Sequence, residues 1–196
     1  MEERKLDAAE SLALIGRMIE NTRNRMVRNA GRPYLVWGYT TVVFTLLVWA
    51  AVLHFGDPRW NWLWFGLPVT GSLGMYLTRP RDAKGSVRTF VDGVIDQVWM
   101  VIGLAAFLTA TLSMLAVVRP PMLFLIVLLM SIGTALTGLV TRFIPSIVGG
   151  FIGLLLAPVL LAVTRTTPSV LLFIAAFVVM MIVPGHILNY QSNHTR

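Results

Sequence analysis

The chain has no cysteine among its 196 residues. That excludes a disulfide framework, a thiolate metal site and a cysteine nucleophile. It leaves the redox compartment undefined, because membrane helices need no staples. Charge is also scarce: 13% of residues are Asp, Glu, Lys or Arg, against about 25% in a soluble domain. None of these charges lies deep in an apolar run. Ionisable groups at depth are the usual mark of proton relays and ion paths, so their absence counts against a proton-driven pump and leaves a passive or lipid-facing route open. No Walker loop, dinucleotide fingerprint or zinc-protease helix is present. Acidic residues number 9 against 16 basic ones, a net charge of +7. In a soluble chain that excess could point to nucleic acid. Here its ordinary explanation is basic residues beside anionic lipid, and no specific nucleic-acid partner is expected. The charged N-terminal stretch holds no short apolar core with a cleavage site, so no signal peptide is expected.

What the chain does have is apolar sequence, 56% of all residues. The runs predict an all-α membrane protein: a six-transmembrane-helix bundle preceded by a cytoplasmic amphipathic helix. The helix is expected over 1–32. Ala8, Leu12, Ile15, Ile19 and Met26 share one face, with Arg17, Asn21, Asn24 and Arg28 opposite. Gly31 and Pro33 should break it. The bundle is expected over 33–190, with spans near 34–55, 61–78, 98–118, 122–141, 146–163 and 169–188, and a polar tail over 191–196. Trp60, Trp62 and Trp64 read as an interfacial aromatic belt, and Pro68, Pro158 and Pro184 as interior kink points. Orientation follows from the basic residues. Arg4, Lys5, Arg17, Arg23, Arg25, Arg28, Arg32, Arg79, Arg81, Lys84, Arg88, Arg142 and Arg196 fall on one side, and Arg59, Arg119 and Arg165 on the other. The positive-inside rule then makes both termini cytoplasmic, in a multi-pass protein of the bacterial inner membrane.

The stretch 86–118 reads as one long helix of two characters, an amphipathic start and an uncharged apolar continuation. Asp92 and Asp96 lie on the side of Gly103, Ala106, Ala110 and Ser113, with Leu104, Leu108, Leu112 and Leu115 on the other. Small residues usually mark the packed face of a membrane helix, so the carboxylates are expected along the packing face, just outside the bilayer. Arg88, Asp92, Asp96 and Arg142 form a candidate docking or ion-pair site. Its two readings are a cation- or partner-binding mouth and a set of structural ion pairs. In the fifth span Gly149, Gly153 and Ala157 repeat every four residues, a stripe that permits close helix approach.

Other candidates carry less. His54 and Asp57 flank a turn but have no visible third metal ligand. Gly71-Ser72-Leu73-Gly74 with the late His186 invites comparison with rhomboid proteases, which fails because Ser72 falls in the second span and His186 near the cytoplasmic end of the last. No catalytic, cofactor-binding or metal residue is therefore assigned.

The run from Ser11-Leu12 to Arg28, the entry Tyr34-Leu35-Val36-Trp37-Gly38-Tyr39 and the ending Pro184-Gly185-His186-Ile187-Leu188-Asn189 resemble those of a group of small polytopic membrane proteins from Bacteroidota-type bacteria. That group has no settled activity to transfer. Its members look like genomic neighbours of winged-helix regulators, and the resemblance therefore implies a regulatory or stress role. The residues lead to a non-catalytic binding, regulatory or scaffold module, acting through the N-terminal helix and the acidic start of helix three. The alternative is a small transporter or channel for a neutral or lipid-like substrate. Expected partners are the lipid bilayer, a second copy of the chain and a cytoplasmic protein.

Overall fold

The computed structural model describes residues 8–79, 90–115, 117, 120–163 and 166–194, with side chains from residue 31 onward except 166 and 192–194. Among the described residues the protein is helical, with no strand. Helix α1 is Ala8–Phe55; a 3-10 helix, Pro58–Phe65, leads into α2, Gly66–Leu77. Then come α3 (Phe90–Met114), α4 (Met122–Thr141), α5 (Ile144–Ala162), α6 (Thr166–Phe177), a π segment (Val178–Ile182) and α7 (Val183–His194). Five stretches are helical, long and apolar enough to cross a membrane: Gly31–Phe55, α3, α4, α5, and Thr167–Gln191, which runs through α6, the π segment and α7.

The first difference from expectation is the continuity of α1. Gly31 and Pro33 do not break it; they lie inside one 48-residue helix. A proline costs a hydrogen bond and crowds the carbonyl four residues back, yet here the neighbouring turns are clamped. A Cβ on Gly31 would stand 2.8 Å from the Gly185 carbonyl oxygen, and one on Gly185 would stand 2.9 Å from the Leu35 side chain. Gly38, two turns on, would likewise meet Ile182 at 2.9 Å. The two helices run antiparallel at backbone contact, and that packing supports the helix where it continues through Pro33. The apolar face of 1–32 involves side chains outside the described residues.

The second difference is the expected span 61–78. It is an eight-residue 3-10 helix joined to a twelve-residue α-helix, so it does not form one long apolar α-helix. Pro68 sits in the first turn of α2 rather than at a kink in mid-span. It has no N–H to offer the Trp64 carbonyl and its ring crowds that group, so the chain ahead of it takes the tighter 3-10 winding. The pair of pieces still runs antiparallel along α1. Gly66 abuts Phe44, Gly71 abuts the Trp37 ring, Gly74 abuts Val36, and Arg32 reaches the end of α2. In 3-10 geometry residues three apart eclipse, which stacks Trp62 on Phe65 with centroids 5.3 Å apart. Trp64 does not join the belt. It is half-buried and meets the core ring of Phe173 edge-on at 6.2 Å, while Trp60 and Trp62 stay exposed.

The core lies among α1, α4, α5 and the α6–α7 rod, around Val127, Ala157, Phe173, Phe177 and Met180. Small residues set its spacing. A Cβ on Gly150 would lie 2.5 Å from the Ala135 nitrogen, and one on Gly138 would lie 2.6 Å from the Ile147 nitrogen. Gly149 faces the Val179 carbonyl and Met180 of the π segment, Gly153 faces Ser131 of α4, and Ala157 is fully buried. The π segment has its own cause. Pro184 cannot bond the Met180 carbonyl, and the preceding turn widens, with the Val183 N–H bonding Val178 five residues back.

Helix α3 is peripheral. Within the stretch 86–118 the described helix is Phe90–Met114, about 37 Å at 1.5 Å per residue; its expected start at Ser86 lies outside the described residues. It packs on α4 through Trp99 and Ile102, which meet Gly133. Gly103 does not lie on a packed face, since a Cβ there would have nothing within 4 Å. The large ring and the branched aliphatic, not Gly103, make this contact, because a glycine on α4 supplies the hollow. Leu104, Leu108, Leu112 and Leu115 are exposed, as the sequence suggested.

Candidate functional site

The acidic start of α3 and the end of α4 come together through the helix pairing. Trp99 Nε1 donates to Thr137 Oγ1 at 3.1 Å, and Ile102 lies against Gly133 one turn away. The register is antiparallel, so the end bearing Asp92 and Asp96 stands at the Thr141–Arg142 end of α4. Asp92 occupies the first turn of α3, where a carboxylate suits the positive end of the helix dipole. Arg142 closes α4 in the left-handed conformation, φ 54°. Its N–H and that of Phe143 bond back to Leu139 and Gly138 at 3.3 and 2.9 Å, the usual way to satisfy terminal carbonyls. The left-handed turn costs a non-glycine residue about 1–2 kcal/mol, and the Gly138–Ile147 approach fixes it. Arg88, the fourth member of the expected site, lies outside the described residues.

A second polar feature was not assigned from sequence. The Tyr34 hydroxyl of α1 is hydrogen-bonded to the Ser146 hydroxyl of α5, and Ser146 Oγ donates to the Thr134 carbonyl of α4 at 3.2 Å. One turn deeper Ser131 Oγ donates to Met180 Sδ at 3.5 Å. Between them Thr134 Oγ1 is fully buried and has no hydrogen-bond partner. Ser131, Thr134, Thr137 and Thr141 step along α4 by three, three and four. That spacing was a legible signal of a polar stripe on one helix face. The contributions of Tyr34 and Ser146 were not, because they lie on two other helices, 112 positions apart. The arrangement is uncharged. It can hold helices in register or line a narrow neutral path, but it offers no base for a nucleophile.

A third feature is the corner where α1 passes the end of α2. Arg32 Nε donates to Thr78 Oγ1 at 2.8 Å, and an Nη2 hydrogen goes to the Met75 carbonyl. Arg79 is within electrostatic reach of Arg32. On the opposite flank of α1 the Tyr39 hydroxyl bonds His186 Nε2 at 2.7 Å, both exposed. Ser72 is also exposed, on α2. His54 packs on Phe55, and Asp57 accepts the Arg59 N–H at 2.8 Å as the cap of the 3-10 helix. Among the described residues no three His, Cys, Asp or Glu side chains gather as a metal site. Comparison with protein-family models, curated proteins and solved structures returns no match.

Proposed function

We propose that this is a non-catalytic integral protein of the bacterial inner membrane that works by binding, with its N-terminal helix as a rigid cytoplasmic arm. The observation that carries the reading is the unbroken α1. Its Gly31–Phe55 part is an apolar span, and residues 8–30 continue the same rod past the Gly31–Gly185 crossing. A partner that tilts such an arm acts directly on the α1–α7 pair. A filled core supports binding over conduction: Phe173, Phe177, Met180 and Val127 have almost no exposed surface. In the proposed topology the 3-10 helix and α2 together make the sixth crossing, since they run beside α1. Both termini are cytoplasmic, as the basic residues favour. The proposed partner is a cytoplasmic protein docking on the arm and on the acidic start of α3.

The test is a deletion of residues 8–30. The shortened protein is expected to insert and melt as before but to lose its co-purifying cytoplasmic partner, and the full chain should give no solute flux in proteoliposomes. Flux that survives the deletion would overturn the proposal. Reporter fusions at Pro58 and Pro168 should read periplasmic, and fusions at Lys84 and Arg196 cytoplasmic. The second reading is a small transporter for a neutral or lipid-like substrate. The unpartnered Thr134 hydroxyl beside the π segment favours it, because π turns are frequent at functional sites.

A further inference from the structure

The corner of α1 and α2 carries two arginines, Arg32 and Arg79. Arg32 spends two of its five N–H donors on Thr78 and on the Met75 carbonyl, so it serves as a cap for the C-terminus of α2. That role is structural, and the end of a helix dipole supplies only about −0.5 charge. Arg79, the residue after Thr78, brings a second positive charge to the same end. Among the described residues no carboxylate is bonded to either arginine. Two like charges at one helix end, which offsets only part of one, favour an anion beside them, and the Arg32–Thr78 bond places them there. Directly above the corner α2 presents Val69, Leu73, Tyr76 and Leu77, all more than half exposed. At spacings of four, three and one they form a single apolar strip leading away from the arginines.

We propose that Arg32 and Arg79 hold the phosphate of an anionic phospholipid of the cytoplasmic leaflet, with its acyl chain along the Val69–Leu73–Tyr76 strip of α2. The inference rests on the membrane reading above. Charge and strip together match the head and tail of one molecule, and a free phosphate would have no use for the strip. Basic pockets at the cytoplasmic side of helix bundles bind such headgroups by the same means.

The experiment uses the full chain in detergent, with native mass spectrometry against phosphatidylglycerol, phosphatidylcholine and inorganic phosphate. Arg79→Gln is the main variant, because among the described residues the Arg79 side chain makes no hydrogen bond; Arg79→Lys is the charge-retaining control. Phosphatidylglycerol should be retained over phosphatidylcholine. Arg79→Gln should weaken that retention about fivefold, the equivalent of ~1 kcal/mol, and Arg79→Lys should restore most of it. Equal retention of both lipids, indifference to Arg79→Gln, or displacement of the lipid by inorganic phosphate at matched concentration would each overturn the site. A chain that fails to float with vesicles of any composition would overturn the membrane reading instead.

Discussion

Replacing Gly150 with alanine adds one methyl group and tests the closest approach that a glycine among the described residues makes to the backbone of another helix. In an ordinary helix the change is favourable by up to ~1 kcal/mol, because glycine is the poorer helix former. At Gly150 the new Cβ would lie 2.5, 2.7 and 2.8 Å from the nitrogen, Cα and Cβ of Ala135. The nearest of these atoms belong to the backbone, so no side-chain rotation relieves the clash. Ordinary contact needs about 3.5 Å, and the α4–α5 pair must therefore part by about 1 Å. A gap of that size forfeits a quarter to a half of each dispersion contact along the seam, and overpacking of this kind costs about 1–3 kcal/mol. The clash thus outweighs the propensity gain. With the propensity gain set against it the net cost is about 1–2 kcal/mol, and at roughly 2–4 °C per kcal/mol for a chain of this size Gly150→Ala should lower the melting point by about 2–8 °C. Gly103→Ala is the matched control, since its Cβ would meet nothing within 4 Å; it should leave the melting point unchanged or raise it. The assay is thermal unfolding in detergent, followed by intrinsic tryptophan fluorescence. If Gly150→Ala melts at or above Gly103→Ala, the close approach of α4 and α5 is wrong.

Two further outcomes are expected. A double-mutant cycle on Trp99→Phe and Thr137→Val should give a coupling of about 0.6 kcal/mol, typical of hydrogen bonds between membrane helices; zero coupling would detach α3 from its α4 register. Thr134→Val replaces a buried hydroxyl that has no partner with a methyl of similar shape, so it should leave stability unchanged or raise it. A loss above about 1 kcal/mol in the same melting assay would mean that the hydroxyl serves a bound molecule, and would favour the transporter reading.

Much of the fold was legible because hydrocarbon spans need length and apolarity, both one-dimensional properties. Four of the expected runs correspond to α3, α4, α5 and the α6–α7 rod, and a fifth to the apolar part of α1. The winding of the 61–78 run was not legible, because hydropathy cannot distinguish an α-helix from a 3-10 helix and only Pro68 carried the local signal. The break at Gly31 and Pro33 was misread for the opposite reason. Both residues are helix breakers on their own, and what packs against α1 where it continues is Gly185, on a segment more than 150 residues away.

The candidate sites divide along the same line. The acidic pair on α3 and the arginine at the end of α4 could be found in the sequence, because charges at the ends of apolar runs stand out there. Their placement at one end of the bundle needed the Trp99–Thr137 register. The small residues of α3 and α5 looked alike in sequence, yet Gly153 faces Ser131 while Gly103 faces open space. Composition and periodicity determined that this chain makes apolar helices and where its charges gather, because those properties belong to each segment alone. Which faces touch, which hydroxyl is left without a partner and which helix end Arg32 caps were decided only by tertiary packing, because each depends on atoms that distant segments bring to the same place.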